Sequence, residues 1–184
     1  MGKVIGGMTM SLDGYVSDPK GGLGQLYPDM DALHNSEVLQ EEIRTTGAVI
    51  LGRTSYDMAP DPDFYADGYE YQTPLFVVTH RVPDRKPKEN DRLTITFVTE
   101  GIERAVEMAK AAAGDRNVLL IGASMNQQGL NAGLVDELHM GIMPVLLGSG
   151  LRLFDHVPPA RFRMEKIRVL EDGERTDIWY RVVY

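Results

Sequence analysis

Three short stretches of the sequence hold the residue types that grip anions. "NVLLIGASMNQQ", Asn117 to Gln128, passes from an apolar run into Gly122, Ala123 and Ser124 and then into a helix-forming segment. Such a junction exposes unpaired backbone N–H groups at a helix start, and small residues let a phosphate approach the main chain. "ILGRTSY" repeats the pattern and adds Arg53, whose guanidinium can pair with phosphate or lie across an aromatic ring. "VVTHR" brings Thr79, His80 and Arg81 to a third strand end. Any one of these would serve as an ordinary turn, but their recurrence suggests a ligand cleft along one edge of a sheet.

Other chemistries find little support. Neither G-x-G-x-x-G nor G-x-x-x-x-G-K-[ST] occurs, and G-x-S-x-G is absent too. His34, His80, His139 and His156 are scattered without an H-E-x-x-H pair, and there is no cysteine, so no metal site is expected. Alternation points His139 away from the apolar side of its strand. Glu41 and Glu42, like Asp61 and Asp63, read as solvated surface charges rather than an acid–base pair. Asp13 either makes an Asp13-Gly14 turn or closes a ligand-facing loop. The methionines fall mostly on apolar periods, as adaptable core fillers.

The elements that must position these residues follow from periodicity. Lys3 to Met10 reads as a buried strand, with Gly6 and Gly7 marking close approach by backbone or ligand. "SLDGYVSD" reads as a turn and "DPKGGLG" as an exposed loop. From Asn35, the residues Val38, Leu39, Glu42 and Ile43 place an apolar stripe beside acidic positions, as in a helix ending near Gly47. "AVIL", "PLFVVTH", "LTITFV" and "VLLI" are buried strands, and Gly101 to Ala113 is the clearest helix, stopped by Gly114. "SMNQQGLNA" predicts a short helix broken at Gly133, and "ELHMGIMPVLL" one long strand. Two last strand-like runs flank Glu171-Asp172-Gly173-Glu174, a hairpin signal. There Trp179 and Tyr180 alternate, so that one packs inward and the other meets solvent or a partner subunit. Strands and helices alternate up to this hairpin, which predicts an α/β architecture: a mixed sheet with helices on both faces.

Composition bounds the rest. A chain of 184 residues suits one domain over 1–184, with no linker or repeat dividing it. A net charge of -8 without a basic block argues against nucleic acid. No apolar run approaches a membrane span, and the first residues, "MGKVIGGMTM", lack a signal peptide, so a cytoplasmic protein is expected.

"MSLDGYVS", "ILGRTSYD", "FVVTHR", "GASMNQQGLNAGLVDELHM" and "PVLLGSGLRLF" occur in this order over nearly the whole chain. Together they resemble the dihydrofolate reductase-like superfamily, in particular the reductase domain at the C-terminus of the bifunctional riboflavin-biosynthesis deaminase-reductase. The resemblance implies a three-layer fold with a mixed, mostly parallel sheet of about eight strands, flanking helices and a C-terminal antiparallel hairpin. It implies NADPH across the strand ends, hydride transfer to a small heterocyclic substrate, and a homodimer. Thr9 and Val16 would border the nicotinamide, beside a loop shaped by Ser11, Asp13 and Gly14. Gly52, Arg53, Thr54 and Ser55 would meet the pyrophosphate and adenosine side, and Thr79, His80 and Arg81 the 2′-phosphate. Ile121, Gly122, Ala123, Ser124, Met125 and Gln128 would serve the pyrophosphate and nicotinamide ribose. Ile121 stands where relatives carry the first of two glycines. The family's substrate-protonating carboxylate, on the helix before the "GR" strand, would correspond to Glu37, with Ser36 beside it.

Within the resemblance the reaction is dihydrofolate reduction, reduction of 5-amino-6-(5-phosphoribosylamino)uracil in riboflavin biosynthesis, or reduction of a related heterocycle. No deaminase domain accompanies it, so the bifunctional enzyme is not expected. The alternative is a nucleotide-binding or interaction protein on the same fold with weak or no catalysis.

Overall fold

The computed structural model describes residues 2–184, Asp172 by its backbone only. Its strands are β1 (Val4–Ser11), β2 (Tyr15–Ser17), β3 (Thr46–Gly52), β4 (Leu75–Val78), β5 (Ile95–Val98), β6 (Asn117–Ile121), β7 (Glu137–Met143), β8 (Leu151–Arg152), β9 (Arg163–Asp172) and β10 (Arg175–Val183). The helices are α1 (Met30–Asn35), α2 (Glu37–Thr45), α3 (Arg53–Tyr56), α4 (Phe64–Gly68), α5 (Ile102–Ala113) and α6 (Ala123–Asn131). Eight strands form one sheet in the order β5-β4-β3-β6-β1-β7-β10-β9, while β2 and β8 pair separately. The strands from β5 to β7 run parallel, and the β9–β10 hairpin adds antiparallel pairing at one edge.

Parallel strands covered on both faces are apolar throughout, which explains why β3 and β6 read as unbroken hydrophobic runs. On one face α5 lays Ala105, Val106, Ala109 and Ala113 against the sheet, in one cluster with Ile50, Val118 and Leu120. The alanines let its axis come close. On the other face Leu39 and Ile43 of α2 pack with Val49, Leu51 and Leu119. The hydroxyl of Ser36 caps α2 by accepting from the Leu39 N–H at 3.2 Å, a contact worth about 1 kcal/mol.

Some expectations need amendment. The helix expected from Asn35 is α2, and a further short helix, α1, precedes it, separated by the extended backbone of Ser36. The long strand expected from Glu137 stops at Met143, where the Val145 N–H donates to the Met143 carbonyl and turns the chain. "SLDGYVSD" contains a strand as well as a turn, since β2 finds β8 as partner. Trp179 and Tyr180 are both half-buried rather than divided between core and solvent.

The decisive feature for function lies between β1 and β6. These strands pair only from Val4↔Val118 to Gly7↔Ile121, after which β1 continues beside β7 alone as far as Ser11↔Met143. The Asn126 side chain fills the fork, donating to the carbonyls of Gly122 at 3.0 Å, Leu120 at 3.4 Å and Gly7 at 3.5 Å. Gly6 makes room for it: a Cβ there would lie 2.1 Å from Asn126 Oδ1 and 2.8 Å from Leu138 Cδ2.

Gly6→Ala is therefore expected to cost about 1–3 kcal/mol, read as a lower urea midpoint. Gly24→Ala, whose Cβ would meet nothing within 4 Å, should stay within about 0.5 kcal/mol of the parent in the same experiment.

Candidate active site

A cavity of about 1320 Å³ opens at the carboxyl ends of β4, β3, β6 and β1 and continues onto the α2 face of the sheet. Of the residues expected at a cofactor, it is lined by Thr9, Val16, Gly52, Arg53, Thr54, Ser55, Thr79, His80, Arg81, Ile121, Gly122, Ala123, Ser124, Met125 and Gln128. One space thus collects the three junctions.

Gly122 has φ 101° and ψ 146°, a conformation open to glycine, and caps α6 without a side-chain bond. The first intrahelical bond runs from the Asn126 N–H to the Gly122 carbonyl, so the N–H groups of Ala123, Ser124 and Met125 have no partner within the helix. A Cβ on Gly122 would come 2.6 Å from Ser55 Oγ, which shows how tightly the β3 and β6 junctions approach. The Arg53 Nε donates to both Asp57 carboxylate oxygens at 2.8 Å, and its Nη1 donates to the Arg81 carbonyl at 3.2 Å, joining the β3 and β4 ends. The Arg81 guanidinium is exposed and, among the described residues, pairs with the exposed Asp84.

Ser11, Asp13 and Gly14 do not line this space. Asp13 accepts from the Ser11 hydroxyl at 2.6 Å and from the backbone N–H groups of Gly148 at 2.8 Å and Leu147 at 3.2 Å. The Ser11 hydrogen bond foremost, then these N–H groups, hold its carboxyl below the usual aspartate value. The turn fixes β2, and Val16 and Ser17 of β2 form cavity wall. The Tyr15 ring beneath Arg152, 4.6 Å from centroid to guanidinium carbon, fastens β2 to β8.

Glu37 and Ser36 are not brought to the cavity either. Glu37 lies in the first turn of α2 and is exposed, and Ser36 spends its hydroxyl on the cap. Glu42, more than one turn farther along α2, reaches the cavity instead. Neither it nor Glu41 is the solvated charge expected: Glu41 is half-buried and pairs with Arg168 at 2.8 Å. The Glu42 side chain is 18 % exposed, its Oε1 accepts from the Tyr71 hydroxyl, and its Oε2 lies 2.8 Å from His139 Nδ1.

His139 does face away from Leu138 and Met140, yet toward a buried polar cluster rather than solvent. Its Nε2 lies 2.7 Å from Asp177 Oδ1, and its ring stacks on Trp179 at 4.2 Å. Arg175 closes the cluster with Nη2 and Nε donating to Asp177 Oδ1 at 2.6 and 3.0 Å. With an acceptor at each ring nitrogen, the imidazolium is the form that satisfies both bonds. Burial alone would depress the His139 pKa, and the two carboxylates together more than reverse that, so it is raised. Burial pushes the Asp177 carboxyl up, but His139 and Arg175 together hold it below the usual value. Burial raises the Tyr71 hydroxyl well above its ordinary range, keeping it a donor.

The match to known proteins can be set against this geometry. The model of the RibD C-terminal domain matches residues 2–177. The chain belongs to the RibD C-terminal domain family. It is 27% identical over 176 residues to the uncharacterized protein YyaP of Bacillus subtilis (strain 168), covering 93% of this chain and 90% of that one. A putative riboflavin biosynthesis protein from Shewanella sp. PV-4 superposes with a TM-score of 0.79 at 21% identity, over 99% of both chains. The dihydrofolate reductase of Enterococcus faecalis, solved with NADP(H), superposes with a TM-score of 0.59 at 16% identity, over 98% of this chain and 96% of that one. The fold of this RibD C-terminal domain is thus dihydrofolate reductase-like, with its mixed sheet and terminal hairpin. Among the described residues no helix is long and apolar enough to cross a membrane, and no group of three or more His, Cys, Asp or Glu side chains could hold a metal ion.

The polar cluster sets a pH dependence. The raised His139 pKa contributes stability that is full below 6.5 and fades as pH rises through the folded value, while the lowered Asp177 pKa contributes above 3.8 and fades as pH falls through its folded value. Urea midpoints between pH 4 and 9 should therefore lose this contribution on the alkaline side. His139→Phe, which leaves Glu42 and Asp177 without their shared cation, should cost about 3–5 kcal/mol near pH 6 and remove that loss.

Proposed function

We propose that this RibD C-terminal domain is an NADPH-dependent reductase of a small heterocycle. The observation that carries the proposal is the single cavity. Its strand-end half offers backbone N–H groups, hydroxyls and arginines, and its α2 half offers a carboxylate among aromatic rings.

The residues fit the dinucleotide. The glycine cradle at Gly122 and the free N–H groups of the first α6 turn would hold the pyrophosphate, with Ser55, Thr54 and Gly52 opposite. Arg81, with His80 and Thr79, would take the 2′-phosphate, because its exposed bond to Asp84 is weak and easily exchanged. Thr9 and Val16 would border the nicotinamide, with Tyr27 in the same cavity wall. Ile121, in place of the family's first glycine, is half-buried in the cavity wall, and the close approach falls to Gly122. NADPH, when bound, supplies the hydride. The chain orients the substrate through Glu42, whose carboxylate can accept a hydrogen bond from a substrate N–H and steady positive charge on that ring, while Tyr71 and His139 keep it aimed.

A homodimer belongs to the same proposal. β9 forms the sheet edge and leaves Met164, Ile167 and Val169 exposed, and light scattering should give twice the chain mass.

NADPH at about 100 times its Kd should stabilise the domain by about 2.7 kcal/mol, seen as a higher melting temperature, with a smaller shift for NADH. Arg81→Ala should narrow the difference between the two nucleotides. Glu42→Gln should lower kcat/KM at least about 100-fold without weakening NADPH. Failure of every nicotinamide nucleotide to move the melting temperature rules the proposal out.

A further inference from the structure

The α2 half of the cavity has a charge pattern that points to its substrate. Two carboxylates line it, Glu42 and Glu70, and no salt bridge holds Glu70 among the described residues. Tyr65, Tyr69 and Tyr71 form a continuous aromatic wall beside them, with ring centroids 5.1 Å apart for Tyr65 and Tyr69 and 5.5 Å for Tyr69 and Tyr71. His34 also lines this half, near Glu70, but the permanently charged group here is engaged. His139 lies between Glu42 and Asp177, and Arg175 is committed to Asp177 by two donors. The other lining arginines, Arg53, Arg81 and Arg152, belong to the strand-end half and to β8.

A phosphate or carboxylate brought into such a half would meet two acceptor groups and no uncommitted guanidinium. A positive ring meets the reverse: tyrosine rings and carboxylates lining one cavity, where such attraction is stronger than in open water. Burial raises the Glu70 carboxyl pKa, and an arriving cation would oppose that rise.

Resting on the reductase reading, we propose that the substrate of this site is an unphosphorylated nitrogen heterocycle bearing a positive charge, held by Glu42, Glu70 and the tyrosine wall. The strand-end arginines remain for the anionic cofactor, so the two halves sort their ligands by sign.

Calorimetric titration of the purified protein, with and without NADPH, would compare N-methylquinolinium, neutral quinoline and a ribosylaminopyrimidine 5′-phosphate. The cation should bind at least about tenfold more tightly than quinoline, a difference of about 1.4 kcal/mol, and the phosphate weakest. Glu70→Gln should remove most of the preference for the cation while leaving quinoline binding and the NADPH melting shift unchanged. An NADPH shift accompanied by equal binding of cation and neutral ring, by tightest binding of the phosphate, or by an unaltered preference in Glu70→Gln overturns this inference alone. No shift with NADPH overturns the reductase reading together with it.

Discussion

The site depends on the fork between β1 and β6. In a parallel sheet, neighbouring strands satisfy each other's backbone, and a gap between them leaves polar groups that need other partners. Here the Asn126 amide stands in for the missing strand by donating to carbonyls on both sides, and Gly6 gives it the volume to do so. Because β1 outruns β6, Thr9 and Val16 come to one side of an opening while Ile121 and Gly122 stand on the other. The junctions after β3 and β4 then complete a rim that a shorter β1 would leave without a second wall.

The second organising element is electrostatic. Burying a histidine, two carboxylates and a guanidinium together is costly unless every charge has partners at close range. The alternation along β7 aims His139 at the α2 face, the last turns of α2 supply Glu42, and the register of β10 sets Trp179 opposite His139 and Asp177 two residues away. Three elements distant in sequence are thereby fixed relative to one another at the floor of the cavity. The same bonds orient the one carboxylate oxygen pair that faces both His139 and Tyr71.

Much of the fold was legible because its signals are local. Apolar runs ending in glycine, the amphipathic α5 and the Glu171–Glu174 turn each state their structure within a few residues. The cofactor-type residues were legible for the same reason: each sits at a strand end that announces itself. The polar cluster was not. Asp177 and His139 are brought together by the pairing of β10 with β7, and that register has no marker in either segment alone. Glu42 reads as solvated because acidic residues flank it in the sequence, and the resemblance points to Glu37 instead. The helical period holds the correction: Leu39 and Ile43 are its neighbours on the buried side, so Glu42 borders the face that meets the sheet. The short β2–β8 pair also went unread, since a strand of three residues is visible only through its partner.

The dependence of His139 on β10 has a consequence for how the chain is made. During synthesis, β1, α2 and β7 emerge from the ribosome before Asp177 does, and domains assemble from the N-terminal side as sequence becomes available. Until the hairpin docks, the imidazole has Glu42 but lacks its second carboxylate and its stacking partner, Trp179. The floor of the cavity therefore has its full charge balance only when the antiparallel edge is in place. Pairing of β10 with β7 thus completes the sheet edge and the floor of the cavity in the same contact.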